Sequence, residues 1–152
     1  MVTTGAVLAA LAEVADPEIP AISIVDLGLV HRVEVGDAPN EAIHVRLLPT
    51  YVGCPALDAI RNSVVDRLGV LGLPVEVEFT YAVPWTTDRL TPSGLSALRR
   101  SGIAPPSSLA DVRCPYCSST RVTMDSAFGP TQCRSLFYCR DCRQPFEAFK
   151  PI

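Results

Sequence analysis

Apolar residues recur along the first hundred positions in two rhythms, one helical and one of period two. Over residues 5–15, Leu8, Leu11 and Val14 fall on one face of a short helix. That helix is expected to end at Asp16-Pro17, since proline disfavours helical backbone in the residue before it. Residues 29–35 and 41–48 read as two strands. In the second, Ile43, Val45 and Leu47 alternate with His44 and Arg46, the pattern of an antiparallel sheet with one buried face. The break at 36–40, Gly-Asp-Ala-Pro-Asn, supplies the turn.

Residues 55–69 give the clearest helix, with Leu57, Ile60, Val64, Val65 and Leu68 at helical spacing and Gly69 and Gly72 closing it. A third strand follows, with Val75, Val77, Phe79 and Tyr81 on one side and Glu76, Glu78 and Thr80 on the other. A short helix runs from Pro92 to about Arg100, with Thr91 as N-cap and proline at the first helical position. The pattern predicts an α/β (α+β) layer, a three-stranded sheet packed by helices, over residues 1–101. Residues 102–111 are small and proline-rich, the composition of a linker. Residues 112–152 form a separate module.

A hydrophobic share of 48% against 19% charged residues is enough for a core in each part. No run of eighteen apolar residues occurs and no basic-then-apolar leader opens the chain, so no membrane span and a cytoplasmic location are expected. Residues 1–111 carry 7 Lys+Arg against 13 Asp+Glu, a net of -6, and residues 112–152 carry 6 against 3, a net of +3. The basic arm would suggest nucleic acid. Four thiolates with one divalent ion add about -2, however, and cancel most of that excess.

Those thiolates come from Cys114-Pro-Tyr-Cys117 and Cys139-Arg-Asp-Cys142, two C-x2-C pairs separated by 21 residues. Each pair turns two sulfurs toward one point, and a β-hairpin between them would close a tetrahedral four-cysteine zinc ribbon. A redox dithiol and an iron–sulfur site are the alternatives. A closed structural site leaves no open position for substrate, and metal binding would supply the stability that so small a core lacks. Phe128, Phe137, Tyr138 and Phe146 are expected to form that core. Cys133, outside both pairs, reads as a buried thiol, an additional ligand or a reactive group.

In the first domain Cys54 sits between Gly53 and Pro55 at the start of a helix. It is either a small buried hydrophobe or a thiol of lowered pKa that transiently holds metal or attacks an electrophile. Asp16, Glu18 and Asp26 cluster in sequence and are most simply turn or cap residues. Neither His31 nor His44 has a partner at catalytic spacing. No nucleophile elbow, P-loop or dinucleotide fingerprint occurs.

Several stretches together resemble known families. Asp16-Pro17-Glu18-Ile19-Pro20, Asp26-Leu27-Gly28-Leu29-Val30, Thr50 with Cys54-Pro55, and Pro84-Trp85-Thr86-Thr87-Asp88-Arg89 resemble the SufT-like iron–sulfur assembly domain. The tail, from Phe128-Gly129 through Cys139, Cys142 and Pro145-Phe146 to Phe149-Lys150, resembles the D subunits of bacterial phenylacetyl-CoA epoxidases. The resemblance implies an accessory or maturation subunit in phenylacetate catabolism, not the catalytic one. It implies the oxygenase and reductase subunits as partners, a structural zinc ion, and a transient iron–sulfur cluster as second cofactor. Cys54 would be the transient ligand, with Asp16, Glu18 and Thr50 near it. One thiolate cannot hold a cluster alone, so a homodimer or partner complex is expected. The other reading is a metal-stabilised adaptor that binds protein or nucleic acid without moving metal, although the charge balance argues against nucleic acid.

Overall fold

The computed structural model describes residues 1–51 and 53–152. It divides into two compact units, residues 1–85 with 89–91, and residues 86–88 with 92–152.

In the first unit, helix α1 (Thr4–Leu11) starts at Thr3, whose hydroxyl accepts from the Ala6 N–H at 3.1 Å. It is shorter than the periodicity predicts and turns its buried face through Val7, Ala10 and Leu11, leaving Leu8 exposed. The chain leaves the helix at Ala12, so Val14 is buried from the segment after the helix instead of from a fourth helical row. Strands β1 (Val30–Val35) and β2 (Ile43–Leu47) pair antiparallel as expected. Ile43, Val45 and Leu47 are fully buried, whereas His44 and Arg46 face outward. Helix α2 (Leu57–Gly69) buries Ile60, Val64 and Leu68 and leaves Val65 exposed. It carries the chain to β3 (Val75–Phe79), which pairs parallel with β2. A parallel partner requires such a crossover, and 27 residues separating Leu47 from Val75 supply it. Tyr81, expected on the strand, lies beyond its end and is exposed. The sheet order is β1-β2-β3, with α1 packed on α2 and β1, and α2 on β3. On the outer face His44 pairs with Glu76 at 3.0 Å and Arg46 with Glu78 at 2.5 Å, exposed pairs worth little each.

A clasp holds the loop before β1. The Trp85 indole N–H donates to the Leu27 carbonyl at 2.8 Å. Arg89 donates from Nε to the Gly28 carbonyl at 2.7 Å and from Nη2 to that of Val30 at 3.1 Å. The Thr91 hydroxyl, expected at the N-terminus of the next helix, donates to Asp26 Oδ1 at 2.7 Å. Two of the motif stretches are thus halves of one structural device.

In the second unit, helix α3 (Pro92–Arg100) leads into β4 (Ile103–Ala104), which is buried and pairs parallel with β7. Ile103 and Ala104, within the stretch expected as a linker, are therefore built into the ribbon sheet, whose order is β4-β7-β6-β5. Strands β5 (Val122–Ser126), β6 (Arg134–Cys139) and β7 (Pro145–Phe149) form an antiparallel meander. Phe137 and Phe146 stack with centroids 5.6 Å apart, in a cluster with Ala104, Val112, Cys114, Cys139 and Ala148. Phe128 is 73% exposed, with the Lys150 Nζ 4.8 Å from its ring centroid, and Tyr138 is half-buried. The core is built instead from Phe137, Phe146 and small residues of β4 and β7. Among the described residues no helix is long and apolar enough to cross a membrane.

Candidate functional site

The two C-x2-C pairs form matching knuckles. In each, the residue after the second cysteine takes left-handed backbone, Ser118 at φ 64 and Arg143 at φ 60. In each, the residue two beyond donates its N–H to that cysteine's sulfur, Ser119 to Cys117 and Gln144 to Cys142. The Cys139 sulfur accepts from the N–H groups of Asp141 and Cys142. Such donors stabilise thiolate over thiol. The first knuckle precedes β5, whereas Cys139 ends β6, and the register Val122↔Cys139 brings the two together.

All four sulfurs lie within 4.8 Å of one another. Cys114 Sγ stands 3.6 Å from Cys142 Sγ, and Cys117 Sγ 3.5 Å from Cys139 Sγ. A tetrahedral ion with metal–sulfur bonds of about 2.3 Å needs sulfurs about 3.8 Å apart. A disulfide would bring a pair to about 2.05 Å. The donor set therefore fits one tetrahedral ion, with thiolates on every corner and sulfurs too close together for a multi-iron cluster's separate corners. Burial and the neighbouring thiols push Cys142 up to about 12 against the Gln144 N–H. Burial also opposes ionisation of Cys139, but backbone donors and adjacent thiols outweigh it and hold that group at about 7.

One contact invisible in the sequence pattern ties the knuckles. Asp141, inside the second pair, accepts from the Ser119 hydroxyl beside the first and, at 2.6 Å, from Arg121 Nη1. The aspartate was legible only as a spacer. Cys133 lies outside the sulfur group, half-buried, with its sulfur 3.0 Å from Thr131 Oγ1.

The other candidate residues gather in the first unit. Cys54 is half-buried, and α2 begins three residues later at Leu57. Its thiol is raised, not lowered as expected for a helix start. Burial is the main cause, partly opposed by the Ala56 N–H, and the carboxylates of Glu18 and Asp16 add to the rise. The structure thus brings Asp16 and Glu18 to Cys54 electrostatically. Asp16 is buried, and its Oδ1 accepts from the N–H groups of Glu18 at 2.9 Å and Ile19 at 2.8 Å, a turn-holding role. Thr50 is half-buried beyond the end of β2, four residues before Cys54.

The fold and site thus define a protein of two parts, an α/β unit carrying a single thiol and a four-thiolate ribbon. Comparison with known proteins agrees. Residues 4–79 match the model of the iron–sulfur cluster assembly protein family, and residues 102–150 that of the PaaD zinc beta ribbon domain. The chain belongs to the family of phenylacetyl-CoA epoxidase D subunits. It is 38% identical to an Escherichia coli (strain K12) protein named for the D subunit of 1,2-phenylacetyl-CoA epoxidase, over 95% of this chain and 90% of that one. An uncharacterised Methanocaldococcus jannaschii protein is 42% identical over 51% of this chain and 83% of its own. Among solved structures, a domain of unknown function from Bacillus anthracis superposes with a TM-score of 0.56 at 30% identity, covering 62% of this chain and 89% of that one. A conserved hypothetical protein from Thermotoga maritima gives 0.53 at 32%, covering 62% and 92%.

Proposed function

We propose that this chain is a cytoplasmic accessory subunit of a multicomponent phenylacetyl-CoA epoxidase, active in phenylacetate degradation. In this reading it assists delivery of iron or an iron–sulfur cluster to the oxygenase and reductase subunits and performs no catalysis itself. The ribbon holds zinc through Cys114, Cys117, Cys139 and Cys142, and the ion's chemistry there is structural. The observation that carries the reading is the Cys54 thiol, half-buried and under the influence of two carboxylates. Two negative charges near enough to raise that thiol also favour a cation there, which suits iron as cargo. A raised thiol pKa also favours brief over permanent ligation, since a proton competes with the metal for sulfur. One thiolate is too few for a cluster, so a second copy or a partner subunit supplies the other ligands.

The test is Cys54→Ser in cells expressing the complete epoxidase. Epoxidase activity is expected to fall at least about tenfold, the scale of losing one metal-interacting group, while the accessory chain keeps its level and its zinc. Full activity would remove the proposed role.

A further inference from the structure

Among the described residues the two sheets end in four edge strands, β1, β3, β4 and β5. Sheets blunt such edges with bulges, very short strands or proline, because unpaired N–H and C=O groups recruit other chains. The pairing of β1 shifts register between Val30 and Arg32, and that of β5 between Met124 and Ser126. Strand β4 is two residues long. Only β3 lacks these devices, since Val75 to Phe79 pair with Ile43 to Leu47 without a shift. The ends of β3 show which way its backbone groups point. The Pro74 carbonyl accepts from the Ile43 N–H at 2.8 Å, and the Thr80 N–H donates to the Leu47 carbonyl at 2.8 Å. Even-numbered residues therefore turn toward β2, and Val75, Val77 and Phe79 turn their N–H and C=O groups to the open edge. Those groups have no backbone partner among the described residues.

The side chains of β3 alternate in the same rhythm. Val75, Val77 and Phe79 are half-buried and continue the rows of Ile43, Val45 and Leu47, which are fully buried. Glu76 and Glu78 stand on the outward face with side chains 71% and 61% exposed. His44 and Arg46 pair with them, but each carboxylate keeps open acceptor sites. The outward face carries Glu34, Glu76 and Glu78 against Arg32 and Arg46, a net of -1 with histidine counted neutral. A groove of about 500 Å³ on that face is lined by Glu34, His44, Arg46, Glu76 and Glu78. The first unit as a whole has 5 Lys+Arg against 11 Asp+Glu, a net of -6. Edge, face and unit thus share one sign. A second copy of β3 is a poor occupant. Antiparallel pairing about Val77 would set each Glu76 opposite a Glu78, and like charges directly opposed destabilise a sheet. A strand with Lys or Arg at every second position reverses that repulsion. Apolar residues between them extend the row of Val75, Val77 and Phe79.

We propose that the free edge of β3 takes up an extended segment of a partner protein, alternating apolar and basic residues, as a fourth strand of the sheet. The proposal is independent of any role for Cys54. It is tested by titrating the zinc-loaded full chain into a short labelled peptide of alternating Lys and Val, read by fluorescence anisotropy. Glu76→Gln combined with Glu78→Gln is expected to weaken binding about fivefold or more. Asp37→Asn combined with Asp66→Asn makes the same charge change at exposed sites elsewhere in the unit, and is expected to weaken it less than about twofold. N-methyl groups on alternate peptide residues remove backbone donors without changing charge. On the set that faces β3 they are expected to abolish binding, and on the other set to spare it. Far-ultraviolet circular dichroism of each variant reports that the chain is folded. Equal losses in the two double variants would reveal diffuse attraction to an acidic surface and overturn the proposal. So would full binding by both N-methylated peptides, or no binding by the parent peptide. Val77→Pro removes an outward donor and leaves the ladder to β2 intact. Sedimentation showing that the chain dimerises, and that this variant is monomeric, would give the edge to a second copy and overturn the proposal too.

Discussion

Arg134 and Glu147 meet across β6 and β7 at 2.6 Å, with the arginine side chain 8% exposed and the glutamate 27%. Arg134 Nε also donates to Thr131 Oγ1 at 3.0 Å. Because the two partners are unequally buried, removing them should have unequal effects. Glu147→Gln leaves a buried guanidinium without its counter-charge and is expected to cost about 2–3 kcal/mol. Arg134→Met leaves a carboxylate that water can reach and should cost about 1–2 kcal/mol. Urea unfolding of both variants checks the order, and a larger loss from Arg134→Met would contradict it.

A zinc ion bound as proposed would supply much of the ribbon's stability. A strong chelator is expected to abolish its tertiary signal in near-ultraviolet circular dichroism and expose residues 112–152 to proteolysis. If about 10–16 kcal/mol of binding is shared among four thiolates, loss of one should cost roughly 2.5–4 kcal/mol. Cys139→Ser should be the more damaging variant and Cys117→Ser the milder, since Cys139 is fully buried in the apolar cluster and Cys117 is exposed. Competition titration with a zinc indicator measures both.

Cys54 should react slowly at neutral pH. Its thiol is raised above the ordinary value by burial and by Glu18 and Asp16, so the nucleophilic thiolate forms only as pH climbs past that value. Alkylation at this residue, followed by mass spectrometry, should therefore accelerate through pH 9 and beyond. Glu18→Gln removes one of the charges opposing ionisation. It should shift the profile to lower pH and quicken labelling at pH 8, whereas an unchanged profile would deny the coupling.

Gly28 and Gly53 share a φ of 75 but differ in surroundings. A Cβ at Gly28 would lie 2.4 Å from the Arg89 carbonyl oxygen, against backbone that cannot yield. At Gly53 a Cβ would meet nothing within 4 Å. Gly28→Ala should cost about 3–4 kcal/mol from strain and overpacking together, Gly53→Ala about 1 from strain alone. Thermal unfolding should order them accordingly.

The sequence by itself determined whatever chemistry is local. The two C-x2-C pairs are chelates closed by three peptide units, so Cys114, Cys117, Cys139 and Cys142 were legible as one site before any fold was known. The alternation of Ile43, Val45 and Leu47 with His44 and Arg46 likewise declared which face of β2 is buried, because side chains on a strand point to opposite sides. Tertiary structure decided what depends on distant partners. It turned Leu8 outward, since the approach of α2 and β1 sets which stripe of α1 is covered. It gave β3 a parallel neighbour through α2 and drew Ile103 and Ala104 from an apparent linker into the ribbon sheet. Phe128 was left exposed because β4 and β7 fill the core it was expected to occupy. Cys54 shows the division most plainly. Its place before a helix argued for an easily ionised thiol, but burial and the carboxylates of Asp16 and Glu18, almost forty residues earlier, reverse the sign. A pKa answers to everything near in space, and sequence spacing reports only what is near along the chain.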